Sequence, residues 1–295
     1  MKKKCDDLVS IIIPTYKRSE MLPRAIQSCL NQTYKNIEVI VVDDNNPDSE
    51  YRKATSKLVK KYKSDPRVSY VLMPENGGGA KARNFGINKA KGNYIAFLDD
   101  DDLFMDHKIE NQITYMKNKK LDACFTASET YDETKSVIIK EKHYVNFDEY
   151  DDMLKFHLVE MIVSTQTFMI KKEVLDAVNG FSVVPAGQEY YLMYKIIQKN
   201  FKVGYLDEVL TRICIHSGER ITTSKNKIYA EKFLYELKKK HFDILNYKEK
   251  RKVKYIYKYN IWQKYKNSKS IKQYLWLGFI AVSHPLILYK KIRKV

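Results

Sequence analysis

The sequence predicts an α/β protein built on a doubly wound, mostly parallel central sheet. Four short apolar runs, residues 9–13, 37–42, 68–73 and 94–98, alternate with segments of helical periodicity, and the connections between them are short. The first two runs are continuous rather than alternating, as expected for strands covered on both faces. Right-handed crossovers then bring the loops after several strands to one edge of the sheet, the edge at which open α/β sheets bind ligands.

In chain order, the first strand (Val-Ser-Ile-Ile-Ile, 9–13) stops at Pro14, and a helix follows from Ser19, a candidate N-cap, to Asn31. Leu22, Ala25, Ile26, Cys29 and Leu30 form its apolar stripe. The second strand ends in Asp43-Asp44-Asn45-Asn46-Pro47. A helix over 49–63 leads to the third strand, then to Pro74-Glu75-Asn76-Gly77-Gly78-Gly79 and a helix over 80–90. The fourth strand is entered through Lys91-Gly92 and ends in four consecutive carboxylates, Asp99 to Asp102. Two like charges about 4 Å apart repel by roughly 1 kcal/mol in water and about 4 at an effective dielectric near 20, so this cluster calls for a cation. The alternative is a solvated acidic turn in which Asp102 caps the next helix.

Beyond the acids, a helix is expected over 107–118 and a strand over 123–127, with strands and a helix on the acceptor side in 128–160. A strand over 161–170 carries Ser164 to Thr167, and a short helix from Lys172 ends at Asn179-Gly180. Another helix opens at Gln188-Glu189, and strands follow at 201–206 and 209–215.

The 295 residues, 44% hydrophobic, suffice for a sizeable core. Of the formal charge of +17, nearly all belongs to the end of the chain: residues 225–295 hold 20 Lys and Arg against 4 Asp and Glu, leaving the first 224 near neutrality. The four cysteines are widely spaced and form no Cys-x-x-Cys pair, which argues against a zinc site or a disulfide framework and for a reducing compartment. The basic start, Met1 to Lys4, is interrupted by Asp6 and Asp7 and followed by too short an apolar run for a signal peptide. No apolar stretch has the length of a membrane span.

Pro14-Thr15-Tyr16-Lys17-Arg18 stands where a dinucleotide fold would carry Gly-x-Gly-x-x-Gly. Gly79-Ala80-Lys81-Ala82 does not complete a P-loop. The glycine run lets backbone approach a ligand or turn tightly, and Arg83, one helical turn on, could reach an anion.

Together, Ser10-Ile-Ile-Ile-Pro-Thr-Tyr16, Val42-Asp43-Asp44, Asn76-Gly-Gly-Gly-Ala-Lys-Ala-Arg83-Asn84-Phe-Gly86 and Phe97-Leu-Asp99-Asp-Asp101-Asp102 resemble the family 2 glycosyltransferases of GT-A fold, over roughly residues 8–220. The resemblance implies an inverting transferase that uses a nucleotide-sugar donor. It implies that Pro14, Thr15 and Tyr16 bracket the nucleoside, that Asp44 hydrogen-bonds the base, most commonly uracil, and that Arg83 lies by the base or the diphosphate. The family's Asp-x-Asp falls on Asp99-Asp100-Asp101: Asp99 on the ribose and metal side, Asp100 between, Asp101 ligating a divalent ion. Asp102 is then a helix cap or a supporting acid. Mn²⁺ or Mg²⁺ is the expected cofactor, because a hard cation held by carboxylates stabilises a departing diphosphate. His216, opening His216-Ser217-Gly218-Glu219-Arg220, resembles the family's closing histidine near metal or phosphate. The family's general base falls on Glu189, although the commoner pattern has Asp there.

The expected organisation is a transferase domain over 1–224 and a basic amphipathic helical tail over 225–295. Three partners suit such a tail: an anionic membrane leaflet met through residues 276–280 and the flanking Lys290, Lys291, Arg293 and Lys294; the domain or another copy in an oligomer; or nucleic acid. The membrane is favoured, nucleic acid is not expected, and the place implied is cytoplasmic, peripheral on the inner face of the cell membrane. The substrate class is a nucleotide sugar with a glycan or lipid-linked acceptor in cell-surface polysaccharide synthesis. A nucleotidyltransferase would want a Gly-rich, basic signature after the first strand, and a nucleic-acid-binding protein would want basicity in the first 224 residues.

Overall fold

The computed structural model describes residues 7–144, 147, 152–185, 187–216 and 224–283. They fall into two compact units: Met1–Asp151 with Ile162–Val183 and Glu189–Gly218, and Asp152–Met161 with Val184–Gln188 and Glu219–Val295.

The first unit is a curled nine-stranded sheet between helices. Its amino-terminal half is the expected parallel βαβ array, β1 (Val9–Thr15), β2 (Ile37–Asp43), β3 (Val68–Leu72) and β4 (Tyr94–Phe97), in the spatial order β3-β2-β1-β4. The interleaved helices are α1 (Leu22–Leu30), α2 (Glu50–Val59) and α3 (Gly79–Lys89). Ile11 and Ile13 of β1 join Leu22, Ala25, Ile26 and Cys29 of α1 in one buried cluster. The intervening Ile12 faces α3, where a Cβ on Gly86 would stand 2.5 Å from Ile12 Cγ2; only glycine allows that close approach.

The second half is mixed. Beside β4 run β8 (Met169–Lys171), β6 (Ala123–Asp132), β9 (Val203–Ile215) and β5 (Leu103–Phe104), while β7 (Val137–Lys142) pairs with the outer part of β6. β8 is antiparallel to both its neighbours, and β6 and β9 are parallel to each other. Here the sequence expectations need correction. The strand foreseen over 161–170 shrinks to β8, because Met161 and Ser164 take positive φ values of 59° and 85° and Thr165–Thr167 forms a 3₁₀ turn. The two strands foreseen over 201–215 are one, β9, whose pairing with β6 shifts register twice. Ser19 does not cap α1, which begins at Leu22. Asp102 caps nothing either, since β5 follows it at once and α4 (Lys108–Lys119) begins five residues after that strand's first residue, behind His107.

α4 carries an unusual core residue. Lys108 is fully buried; its ammonium donates to Gln112 Oε1 and lies 3.4 Å from the Thr167 carbonyl and 4.8 Å from the Phe104 ring centre. Burial pushes this amine down to about 7. The folded chain therefore binds fewer protons there than the unfolded chain between about pH 7 and pH 10.5, so this residue makes stability rise with pH across that window. Lys108→Met should remove the rise, up to about 3 kcal/mol between about pH 7 and pH 9.5, when urea unfolding of the two proteins is compared.

The second unit contains α5 (Met153–Glu160), α8 (Ser224–Lys239), α9 (Tyr247–Asn267) and α10 (Lys272–Ser283). The tail is helical as expected, and α9 opens on a capping box formed by Asn246 and Glu249. Its tyrosines pack between helices: the Tyr235 and Tyr257 rings stack at 4.1 Å, and Lys252 pairs with Glu160 of α5. Among the described residues no helix is long and apolar enough to cross a membrane. Lys290, Lys291, Arg293 and Lys294 lie outside the described residues.

Candidate active site

The carboxyl edge of the parallel half carries the polar loops, and the turn after β4 sets the four acids apart. Asp102 N–H donates back to the Asp99 carbonyl at 3.1 Å. The turn brings one carboxylate oxygen each of Asp99, Asp101 and Asp102 within 4.8 Å of one another. Asp100 is not part of that group. Its side chain turns into the protein, 1% exposed, where it accepts from Thr15 Oγ1 at 2.7 Å and lies 3.0 Å from Arg18 Nη2. Asp102, expected as a helix cap or a supporting acid, joins Asp99 and Asp101 in the cluster instead. Asp102 takes the third place, accepting from the Cys214 N–H at 2.8 Å and from Gln166 Nε2 at 2.6 Å. Burial and then the adjacent Asp99 and Asp101 charges push the Asp102 carboxyl well above the usual range, and burial lifts Asp100 to about 7 against the pull of Arg18 and Thr15.

Cationic and neutral donors ring the acids. Arg18 pairs with Asp101, His216 Nε2 lies 3.2 Å from the same carboxylate, and Arg83 pairs with Asp99 at 2.6 Å. Arg24 donates to the Asp101 carbonyl at 3.0 Å and pairs with Glu133. The Nε–H groups of Arg18 and Arg83 are buried without a hydrogen-bond partner, donors left over for an anion. Arg83 also lies against the Phe181 ring at 5.5 Å. The Phe181 backbone is held to α3 by two hydrogen bonds of 2.8 Å with the Asn84 amide.

Asp44 is the hinge between two loops. Its carboxylate accepts from the Gly77 N–H at 2.7 Å, the Gly78 N–H at 2.9 Å and Asn76 Nδ2 at 2.9 Å, so here it holds the glycine loop. Gly78 needs its glycine, with φ at 79°. Burial raises the Asp44 carboxyl's pKa, and the two loop N–H groups draw it back. Pro14 and Thr15 complete β1, with the Thr15 hydroxyl given to Asp100. Lys17 Nζ lies over the half-buried Tyr16 ring at 5.1 Å and over Tyr51 at 5.4 Å. Glu189 occupies the first turn of α7 (Gln188–Gln198), within Coulombic reach of Lys142, whose amine is pushed down to about 8 by burial and by Lys140 while Glu189 opposes the shift. A cavity of about 400 Å³, lined by Asp7, Lys91, Gly92 and Lys171 among others, lies by the amino end of β4, away from this chemistry.

The structure thus joins Thr15, Arg83, Asp99, Asp100, Asp101 and His216 in one network, with Asp44 and the glycine loop on the adjacent strand end. Glu189 stands outside it with Lys142. Residues 217–220 of the closing histidine motif lie outside the described residues. Arg18, Arg24 and Gln166 were not foreseen. A base in the loop after the first strand was a usable signal for Arg18; nothing local marks Gln166, which depends on the turn after Ser164.

Residues 10–178 match the family model for glycosyl transferase family 2. This chain belongs to that family. The matched span includes Arg18, Asp44, Arg83 and all four acids, and ends before Glu189 and His216. The Escherichia coli UDP-Glc:alpha-D-GlcNAc-diphosphoundecaprenol beta-1,3-glucosyltransferase WfaP is 33% identical over 221 residues, 75% of this chain and 81% of WfaP. An uncharacterized glycosyltransferase of Rickettsia felis is also 33% identical, over 75% of this chain, but this chain spans only 35% of its length. Among solved structures, the mannosyltransferase PcManGT of Pyrobaculum calidifontis, in complex with GDP-Man and Mn²⁺, superposes with a TM-score of 0.62 at 18% identity, covering 97% of this chain and 82% of PcManGT. The family 2 chain therefore has the GT-A fold.

Proposed function

We propose that this chain is an inverting glycosyltransferase that moves a sugar from a nucleotide-sugar donor, UDP-linked, to a glycan or lipid-linked acceptor in cell-surface polysaccharide synthesis. The observation that carries the proposal is the three-acid cluster of Asp99, Asp101 and Asp102 at the ligand-binding edge, with the unspent guanidinium donors of Arg18 and Arg83 beside it. The donor and acceptor classes draw support from WfaP, whose name specifies UDP-Glc and a diphosphoundecaprenol acceptor.

The cluster fits a hard divalent ion. All its ligands are carboxylate oxygens, and their mutual separation of up to 4.8 Å is close to the roughly 4.2 Å that opposed ligands span across Mg²⁺ or Mn²⁺. PcManGT, of the same fold, binds Mn²⁺. Asp99, Asp101 and Asp102 would hold the ion, which when bound neutralises charge growing on the departing diphosphate. Arg18 and Arg83 supply hydrogen bonds and positive charge to the phosphate oxygens, and His216 a ring nitrogen beside them. Pro14, Thr15 and Tyr16 line the nucleoside side. Asp44 shapes the glycine loop there and offers the contact to the base. Glu189 takes the proton from the attacking acceptor hydroxyl. Residues 1–224 carry the transferase chemistry, and 225–295 form a basic helical tail that packs with α5.

The test is incubation with UDP- and GDP-sugars, Mn²⁺ and a lipid-diphosphate sugar acceptor. Release of UDP with extension of the acceptor is expected. Pyrophosphate release from a nucleoside triphosphate, without sugar transfer, would make the chain a nucleotidyltransferase instead. Arg18 gives a reading that does not depend on turnover. Because its guanidinium competes for Asp101, Arg18→Ala should tighten Mn²⁺ binding in the absence of donor by about tenfold in calorimetric titration.

A further inference from the structure

Helix α10 presents its apolar side outward. Ile271, at the turn into the helix, is 80% exposed, and within the helix Tyr274, Leu275, Phe279 and Val282 are 68%, 66%, 57% and 87% exposed. At 100° per residue these five positions, with Gly278 and Ala281, fall on one face. The opposite face is the packed one: Ile280 is fully buried against Tyr255, Leu277 packs into the same cluster, and Trp276 meets the Tyr257 ring at 5.9 Å. Of residues 276–280, foreseen as the membrane contact, three therefore face inward onto α9, and Phe279 and Gly278 remain outside.

We infer that the outward face of α10 docks on the surface of an anionic phospholipid bilayer. Large exposed apolar residues in one continuous stripe mark an interaction surface, and charge decides the occupant. The only charged residue within α10 is Lys272, and with the exposed Lys266 and Lys269 it places three bases at the α9–α10 corner where the stripe begins. Residues 225–295 carry 20 basic against 4 acidic residues, a charge that repels a second copy of the same face and attracts anionic headgroups. The twelve residues of α10 span about 18 Å, too short for a bilayer core of about 30 Å, so the helix lies in the interface plane with the stripe toward the acyl chains. The inference goes beyond the proposed transferase activity and does not depend on it.

Co-sedimentation of the full chain with vesicles tests it, with no turnover measurement involved. With phosphatidylcholine vesicles containing about one-quarter phosphatidylglycerol the chain should pellet, with affinity at least tenfold above that for phosphatidylcholine alone. The double variant Leu275→Glu and Phe279→Glu changes only exposed positions. It should lose anionic-vesicle binding by tenfold or more with an unchanged melting temperature, while Leu275→Phe keeps it. Wild-type protein that stays in the supernatant, or a double variant that pellets like wild type, would overturn the inference. So would a wild-type dimer that the double variant converts to monomer without any vesicle binding, which would assign the face to a second copy.

Discussion

Asp101→Ala is expected to lower sugar transfer by about a thousandfold or more, roughly 4 kcal/mol of lost transition-state stabilisation. Asp101 belongs to the three-acid cluster and is also the partner of Arg18 and His216. Its removal takes away a metal ligand and the carboxylate that Arg18 and His216 share, leaving Arg18 with Asp100. Calorimetric titration should show Mn²⁺ affinity falling with the rate. Asp100→Asn is the informative companion. Asp100 lies outside the cluster, so Mn²⁺ affinity should stay within about threefold of wild type, whatever the loss of the Thr15 hydrogen bond does to the loop. Equal loss of metal affinity in both variants would mean that the four acids act together and the assignment within the turn is wrong.

Glu189→Gln should lower kcat by about 10²- to 10⁴-fold, the range for removal of a positioned general base, with donor binding retained. The amide is isosteric with the carboxylate and keeps the first turn of α7, but it cannot accept the acceptor's proton. The donor should therefore still raise the melting temperature as it does in wild type, while turnover collapses. Lys142 beside it makes a second use of the same variant: with the carboxylate gone, the Lys142 amine loses the Coulombic support of Glu189 and should titrate lower than in wild type. Full activity of Glu189→Gln would move the base to another residue and leave the donor half of the site untouched.

Some of this protein was legible from local pattern and some was not, and the division has a physical cause. The parallel half followed from unbroken apolar runs such as Ile11-Ile12-Ile13, because burial on both faces needs no partner-specific information. The ends of those strands could be read for the same reason: Asp44, the glycines and the acids sit where the chain must turn. The mixed half resisted. Met161 takes positive φ as the C-cap of α5 and Ser164 as the entry to a 3₁₀ turn, so an apolar stretch that reads as one strand breaks into a turn and three residues of β8.

The same holds within the site and in the tail. The sequence by itself determined that four carboxylates end the fourth strand, that bases and glycines share that edge, and that the end of the chain is basic and helical. Which acids converge was decided by tertiary structure alone: Thr15 and Arg18 turn Asp100 inward, while Cys214 and Gln166, over sixty residues away in sequence, hold Asp102 in the cluster. Likewise, the composition of 276–280 announced an apolar surface, but only packing against Tyr255 and Tyr257 decided which side of α10 faces out. Residue types and strand ends are local properties of a chain; the direction of a side chain depends on partners that folding alone brings within reach.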